Sequence, residues 1–302
     1  MKIIFMGTPA YAEEILKDLI KATDIEVIAV YTQPDKPVGR KKIMTSSPVK
    51  LTALDANIPI YQPSKLREES VVKELLKVEC DFIVVAAYGQ ILPREILNHA
   101  PCINLHASIL PKYRGASPIQ EALLHGDKET GVTAMKMDIG LDTGDIIKIS
   151  KVAIDEDELA DSLFLKLTQV ASDLTLDVLR NYHNFTPLKQ DDTLATHCSK
   201  ITKSDGEIAF LDAVVLYNRY RAFTPWPGVH LQNGLKIKSM RLNSACRTFE
   251  PGKIVQVEKD YIVVGCTLGS LQIYRVQPES KNEMDIISYC NGKRLKVDDY
   301  LS

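Results

Sequence analysis

Five short apolar runs near the start of the chain show almost no polar alternation. They are KIIFMG (2–7), IEVIAVYT (25–32), DFIVVAA (81–87), CINLH (102–106) and GVTAMKM (131–137). A strand that alternates polar and apolar side chains can leave one face in water, whereas one without alternation must be covered on both faces. Helix-period stretches lie between the runs, from Ala10 to about Lys21 and near 65–78 and 117–125. Strands interleaved with helices in this way predict an α/β domain with a largely parallel sheet. The opening MKIIFMGTPAYAEE reads as its first strand and not as a secretory leader, because acidic residues follow at once. No apolar run approaches the roughly 18–20 residues that span a bilayer, so no membrane partner is expected.

The pattern changes after residue 155. Residues 157–182 predict one long amphipathic helix, with Leu159, Leu163, Leu167, Val170, Leu174 and Val178 at helical spacing. Residues 185–206 are polar and aperiodic, which reads as a linker. Beyond them come GVHL, LKIKSM, KIVQVE, YIVVGCT and LQIYRVQ, separated by turn residues, which predict a small β-barrel or sandwich. The expected plan is a domain over 1–184, a linker over 185–206 and a second domain over 207–302.

Charge and cysteine usage narrow the function classes. With 37 Lys and Arg against 39 Asp and Glu, the net charge of −2 excludes a strongly basic polyelectrolyte binder. The charge is uneven, however. Residues 207–302 carry 13 Lys and Arg against 10 Asp and Glu, and residues 1–206 carry 24 against 29. That sign favours a polyanion near the C-terminal domain. The six cysteines, at 80, 102, 198, 246, 266 and 290, form no CxxC pair. They read as reduced structural thiols of a cytoplasmic protein, with no metal site expected.

The densest polar constellation lies in CINLHASILPKYRGASPIQ (102–120) and MDIGLDTGDII (137–147). Asn104 and His106 stand two apart at the end of a strand-like run, so both side chains point to the same side. Sites in open α/β sheets form at the carboxyl ends of strands. Asp142 follows another such run, in a loop with Gly140 and Gly144 that can turn tightly. An amide, an imidazole and a carboxylate together suit attack on a carbonyl carbon through a tetrahedral intermediate. The amide and imidazole donate to the developing oxyanion, and the carboxylate sets the imidazole's charge and accepts a proton. No Ser or Cys nucleophile is needed if the substrate brings its own amine. The plainer alternative is that Asn104 and His106 cap the following turn and Asp142 forms an Asx-turn. His99, His125, His183, His197 and His230 have weaker contexts. Gly7-Thr8-Pro9 lacks a phosphate-binding fingerprint and reads as turn chemistry.

FMGTPAYA, QPDKPVGRKKIMTSSPVK (33–50), INLHASILPKYRGASPIQ (103–120), GVTAMKMDIGLDTGD (131–145) and RAFTPWPG (221–228) occur in this order. Together they resemble the methionyl-tRNA formyltransferases, within the folate-dependent formyltransferase superfamily. The resemblance implies a Rossmann-like domain followed by a C-terminal OB-type barrel. It implies formyl transfer from 10-formyltetrahydrofolate, a co-substrate, to the amino group of methionyl initiator tRNA, in the cytoplasm and by a monomer. It matches Asn104, His106 and Asp142 to the family's catalytic residues. It matches Ser108, Ile109, Leu110 and Pro111 to a folate-contacting segment, and Tyr88, Gly89, Ile91 and Leu92 to a pterin-pocket wall. Arg40 matches a loop arginine that approaches the acceptor end of tRNA.

The 33–50 loop holds Lys36, Arg40, Lys41, Lys42 and Lys50 with Asp35 as its only acid, and its Pro and Gly content argues against regular structure. Such a loop is either a phosphate tether or a solvated surface loop. Trp226, between Pro225 and Pro227, is expected to pack, and Arg219 and Arg221 are expected to contact phosphate. Three rivals remain: a sugar-nucleotide amine formyltransferase, a formyltetrahydrofolate hydrolase, and a non-catalytic tRNA binder on the same scaffold. A small acceptor does not need five cations in one loop, and a pure binder does not need the polar trio.

Overall fold

The computed structural model describes residues 1–39 and 41–301. The chain divides into two compact units. The first comprises Met1–Pro118, Glu129–Ala153 and Phe164–Cys198. The second comprises Ile119–Lys128, Ile154–Leu163 and the chain from Ser199 onward.

The first unit is built on a seven-stranded sheet. Its strands are β1 (Lys2–Gly7), β2 (Glu26–Tyr31), β3 (Ile60–Tyr61), β4 (Phe82–Ala86), β5 (Cys102–His106), β6 (Glu129–Lys136) and β7 (Ile146–Ala153). The spatial order is β7-β6-β5-β4-β1-β2-β3. The first five strands run parallel. The last two run antiparallel, β6 against β5 and β7 against β6. GVTAMKM, expected within a parallel sheet, therefore returns in the opposite direction. The strand order reverses between β1 and β4, the place where open α/β sheets form a crevice at their carboxyl ends.

The unalternating runs are covered as expected: Ile3, Ile4, Phe5 and Met6 of β1 are fully buried. The helix Ala10–Lys21 lays Tyr11, Ala12, Ile15, Leu16 and Leu19 into the core at helical spacing. At Gly7 a side chain would collide with Ala12 and Phe5, so this glycine serves close strand-to-helix packing. The long helix runs Ala160–Asn181.

Residues 185–206 depart from a free linker. Leu188 and Ile146 exchange two backbone bonds of 2.8 Å. His197–Cys198 pairs in parallel with Arg114–Gly115. The segment is ordered by polar bonds to backbone and not by an apolar period, so hydropathy carries no trace of it. Residues 33–50 also differ from expectation: Lys36–Val38 and Ile43–Thr45 form a short antiparallel hairpin.

The second unit carries six strands, all paired antiparallel. They are β8 (Val229–His230), β9 (Lys236–Ser244), β10 (Ile254–Val257), β11 (Ile262–Gly265), β12 (Ser270–Gln277) and β13 (Met284–Asp285). The order is β8-β9-β12-β11-β10, with β13 also on β12. Among the described residues these pairs make a sheet, and closure into a barrel is not among them. Ile237, Met240, Ile254, Ile262, Val264, Leu271, Ile273 and Val276 form its buried face. The helix Ala213–Phe223 begins at Asp212, whose carboxylate accepts from Val214 N and Val215 N, a cap worth about 1 kcal/mol.

Candidate active site

β5 delivers Asn104 and His106 to the same side, and both reach one carboxylate. Asn104 Nδ2 lies 3.4 Å from Asp142 Oδ1, and His106 Nδ1 lies 3.6 Å from Asp142 Oδ2. Asp142 Oδ2 also accepts from the backbone N–H of Gly115 at 2.8 Å. Asp142 itself is left-handed, with φ of 55°. The loop that carries it is braced by Asp138, whose carboxylate accepts from Gly140 N at 2.9 Å and Thr143 Oγ1 at 2.6 Å. His106 is buried, and its Nε2 lies 2.8 Å from the carbonyl oxygen of Tyr113. A carbonyl only accepts, so Nε2 carries a proton and Nδ1 is the ring atom turned to Asp142.

The turn 113–115 therefore serves both partners, accepting from His106 and donating to Asp142. It is held in turn by the chain at 196–198. Tyr113 N donates to Thr196 Oγ1 at 2.8 Å, Arg114 N to Thr196 O at 2.8 Å, and Ala116 N to Cys198 O at 3.2 Å. Gly115 has φ of 121°, a conformation that favours glycine.

The residues matched to folate contact divide by burial. Ser108, Leu110, Tyr88 and Leu92 are buried, Ile109 and Pro111 half-buried, and Gly89 exposed. Ile91 is 81% exposed. The Ser108 hydroxyl donates to Lys112 O at 2.6 Å, while the Ser108 carbonyl accepts from Thr133 Oγ1 at 2.6 Å. Ser108 thus braces its own turn, and Ile109 and Pro111 are its accessible parts. The Tyr88 hydroxyl is buried with no hydrogen-bond partner among the described residues.

Lys36, Lys41 and Lys42 are exposed on the hairpin, and Arg40 lies outside the described residues. The fifth cation is engaged at the hairpin's base. Lys50 Nζ pairs with Asp35 at 2.7 Å, and Asp35 also accepts from Gln62 Nε2 at 2.9 Å and Ser46 Oγ at 3.2 Å. The Gln62 bond, then the Lys50 ammonium, hold the Asp35 carboxyl below the usual carboxylate range.

Two expectations in the second unit need correction. Arg221 is only 5% exposed. Its guanidinium donates to Glu158 O, Asn218 Oδ1 and Asp155 O at 3.0 Å each, so it is a packing cation and not a phosphate contact. Trp226, expected to pack, is 58% exposed. Arg219 is half-buried and donates to Glu207 O at 3.2 Å.

Sequence reasoning missed Gln190 and Arg114. Both are buried, and they bond to each other. The only available signal was a charged residue inside the motif at 114 and an amide within an aperiodic stretch. Among the described residues no cluster of three or more His, Cys, Asp or Glu is placed to hold a metal ion. No helix among them is long and apolar enough to cross a membrane.

Comparison with known proteins agrees over both units. Residues 1–179 match the formyl transferase family model, and residues 200–294 match the formyl transferase C-terminal domain model. The methionyl-tRNA formyltransferase of Sulfurimonas denitrificans is 61% identical over 302 residues, covering all of both chains. That of Nitratiruptor sp. is 54% identical, covering 99% of each chain. Among solved structures, an N-formyltransferase from Helicobacter canadensis in complex with folinic acid and dTDP-3-aminofucose aligns with a TM-score of 0.69. It is 18% identical and covers 91% of this chain and 99% of its own, a likeness of fold alone. By identity and coverage, the chain belongs to the methionyl-tRNA formyltransferase family.

Proposed function

We propose that this chain transfers the formyl group of 10-formyltetrahydrofolate to the α-amino group of methionyl initiator tRNA, for translation initiation. One observation carries the chemistry: the Asn104 amide and the His106 imidazole, from one strand, each lie within 3.6 Å of a carboxylate oxygen of Asp142, from a loop 36 or more residues on. The donor supplies an electrophilic formyl carbon attached to a nitrogen leaving group. Asn104 Nδ2 donates to the formyl oxygen as negative charge develops there. Loss of one such donor costs about 3–4 kcal/mol of barrier. His106 Nδ1 faces the same space, because Nε2 is fixed on the Tyr113 carbonyl, and adds a second donor when protonated. Asp142 Oδ2 holds that proton on Nδ1, and the carboxylate takes up the proton lost by the attacking amine and returns it to the donor nitrogen as the C–N10 bond breaks and tetrahydrofolate leaves.

The donor's ring system fits what the chain offers beside β4. Segment 87–92 leaves the sheet with Ala87 and Gly89 at positive φ, and it carries an exposed Ile91 and a buried Tyr88 hydroxyl with no hydrogen-bond partner among the described residues. Exposed Lys36, Lys41 and Lys42 supply phosphate contacts for the tRNA acceptor. We assign residues 1–184 to a Rossmann-like catalytic domain, on the 3-2-1-4-5 order of its parallel strands. We assign 207–302 to an OB-type tRNA-binding domain, on its antiparallel strands. We assign the enzyme as a monomer that acts in the cytoplasm, where aminoacylated tRNA is made. The test is formylation of charged initiator tRNA with labelled donor. Transfer to an amino sugar nucleotide and not to tRNA would refute the acceptor, and formate release without any acceptor would reassign the chain as a hydrolase.

A further inference from the structure

The side chain that holds the Asp142 loop lies 48 residues away, in a stretch without any periodicity. Gln190 Nε2 donates to Asp142 O at 2.9 Å and to Gly144 O at 2.7 Å, so both its N–H groups are engaged. Gln190 Oε1 accepts from Arg114 Nε at 3.0 Å and Arg114 Nη2 at 2.8 Å, so both its lone pairs are engaged as well. Arg114 Nη2 also reaches Asp192 Oδ1 at 2.8 Å. Gln190 is 5% exposed and Arg114 4%. A buried amide with four bonds has one orientation, and reversing it would set its oxygen against two carbonyls and its N–H groups against a guanidinium.

This arrangement joins the two backbone pieces on which the trio depends. Gln190 grips the backbone of residues 142 and 144, which carries the carboxylate. Arg114 belongs to the 113–115 turn, which supplies the acceptor for His106 and the N–H for Asp142. We propose that Gln190 is a positioning residue for formyl transfer: pinned by Arg114, it fixes the Asp142 backbone so that the carboxylate stays between Asn104 and His106. The inference rests on the reading of Asp142 as part of the catalytic machinery. Gln190 itself touches neither substrate in that reading and acts only through Asp142.

The test uses the full-length enzyme with Gln190→Ala and Gln190→Glu. The Glu variant keeps the shape and the Arg114 pairing, but it has no N–H to give the two carbonyls, so it remains informative if the Ala variant does not fold. A misplacement of about 1 Å at a reacting group can lower a rate by about 100-fold. Both variants are expected to lose kcat on that scale, with KM for donor and tRNA within about twofold of the parent enzyme. A residue that acts only through Asp142 adds nothing once Asp142 is disabled. The double variant Gln190→Glu, Asp142→Asn is therefore expected to match Asp142→Asn alone. A double variant slower by the product of the two single effects overturns the proposal. So does a Gln190→Glu enzyme with lower thermal stability and unchanged kcat. An Asp142→Asn enzyme at full rate would sink the catalytic reading beneath it, and that outcome is recognised without touching Gln190.

Discussion

Replacing Gly115 by alanine tests how tightly the site is held. Gly115 has φ of 121°, where an L-residue costs about 1–3 kcal/mol of strain. A Cβ there would also overlap the carbonyl oxygen of Cys198, on the short strand paired with Arg114–Gly115. Relieving that overlap needs a separation of roughly 1 Å between the two segments, because carbon contacts are comfortable only near 3.5 Å. The Gly115 N–H moves with its backbone and leaves Asp142 Oδ2, from which it lies 2.8 Å in the parent. Two effects are therefore expected. Strain lowers the melting temperature by several degrees, since about 1 kcal/mol corresponds to roughly 2–4 °C for a domain of this size. Displacement of Asp142 lowers kcat by about 100-fold while KM for each substrate changes little. Scanning calorimetry and steady-state formylation at saturating donor measure the two effects. A Gly115→Ala enzyme within twofold of parental kcat and with an unshifted melting temperature refutes the claim that the 113–115 turn fixes the carboxylate.

Three further outcomes are expected. Lys36→Ala, Lys41→Ala and Lys42→Ala together raise KM for tRNA and flatten the salt dependence of tRNA binding by about 0.7–0.9 in slope per lost phosphate contact, with KM for donor unchanged. An unchanged slope removes the hairpin from the interface. Arg221→Met removes three hydrogen bonds, one buried and two part-buried, and lowers the stability of the second unit by about 1–3 kcal/mol, without selectively weakening tRNA binding. A tRNA-specific loss in a fully stable protein reverses that assignment. The bidentate bonds of Arg180 at 2.8 Å hold the Asp24 carboxyl down to about 2. The stabilisation it gives is present above the unfolded value near 4 and is lost as pH falls toward 2, a titration that carbon-detected NMR of Asp24 follows. A midpoint near 4 contradicts it.

What could be read ahead of the structure follows from which force orders each piece. The parallel strands declare themselves because burial on both faces demands unbroken apolar runs, as in KIIFMG and FIVVA. β7 escapes notice because IIKISKVA lies at the sheet edge and interleaves lysines with its apolar residues. Asn104 and His106 are legible from strand alternation, and Asp142 from its glycine-flanked loop. Gln190 is not legible, because its importance comes from two carbonyls 46 and 48 residues away and a guanidinium 76 residues away. No local pattern encodes such bonds. Arg221 shows the converse: its place beside the FTPWPG segment suggested a nucleic-acid contact, but backbone carbonyls of residues 155 and 158 claim the side chain.

The single-turnover rate of Asp142→Asn, with methionyl initiator tRNA and donor both saturating, bears on the central claim most directly. Asparagine keeps the shape and the Gly115 bond but cannot hold a proton on His106 Nδ1 or take one from the amine. The expected result is a rate lower by about 100- to 10,000-fold, with the tRNA dissociation constant within twofold of the parent. A rate within threefold of the parent would contradict the assignment of proton handling to this carboxylate.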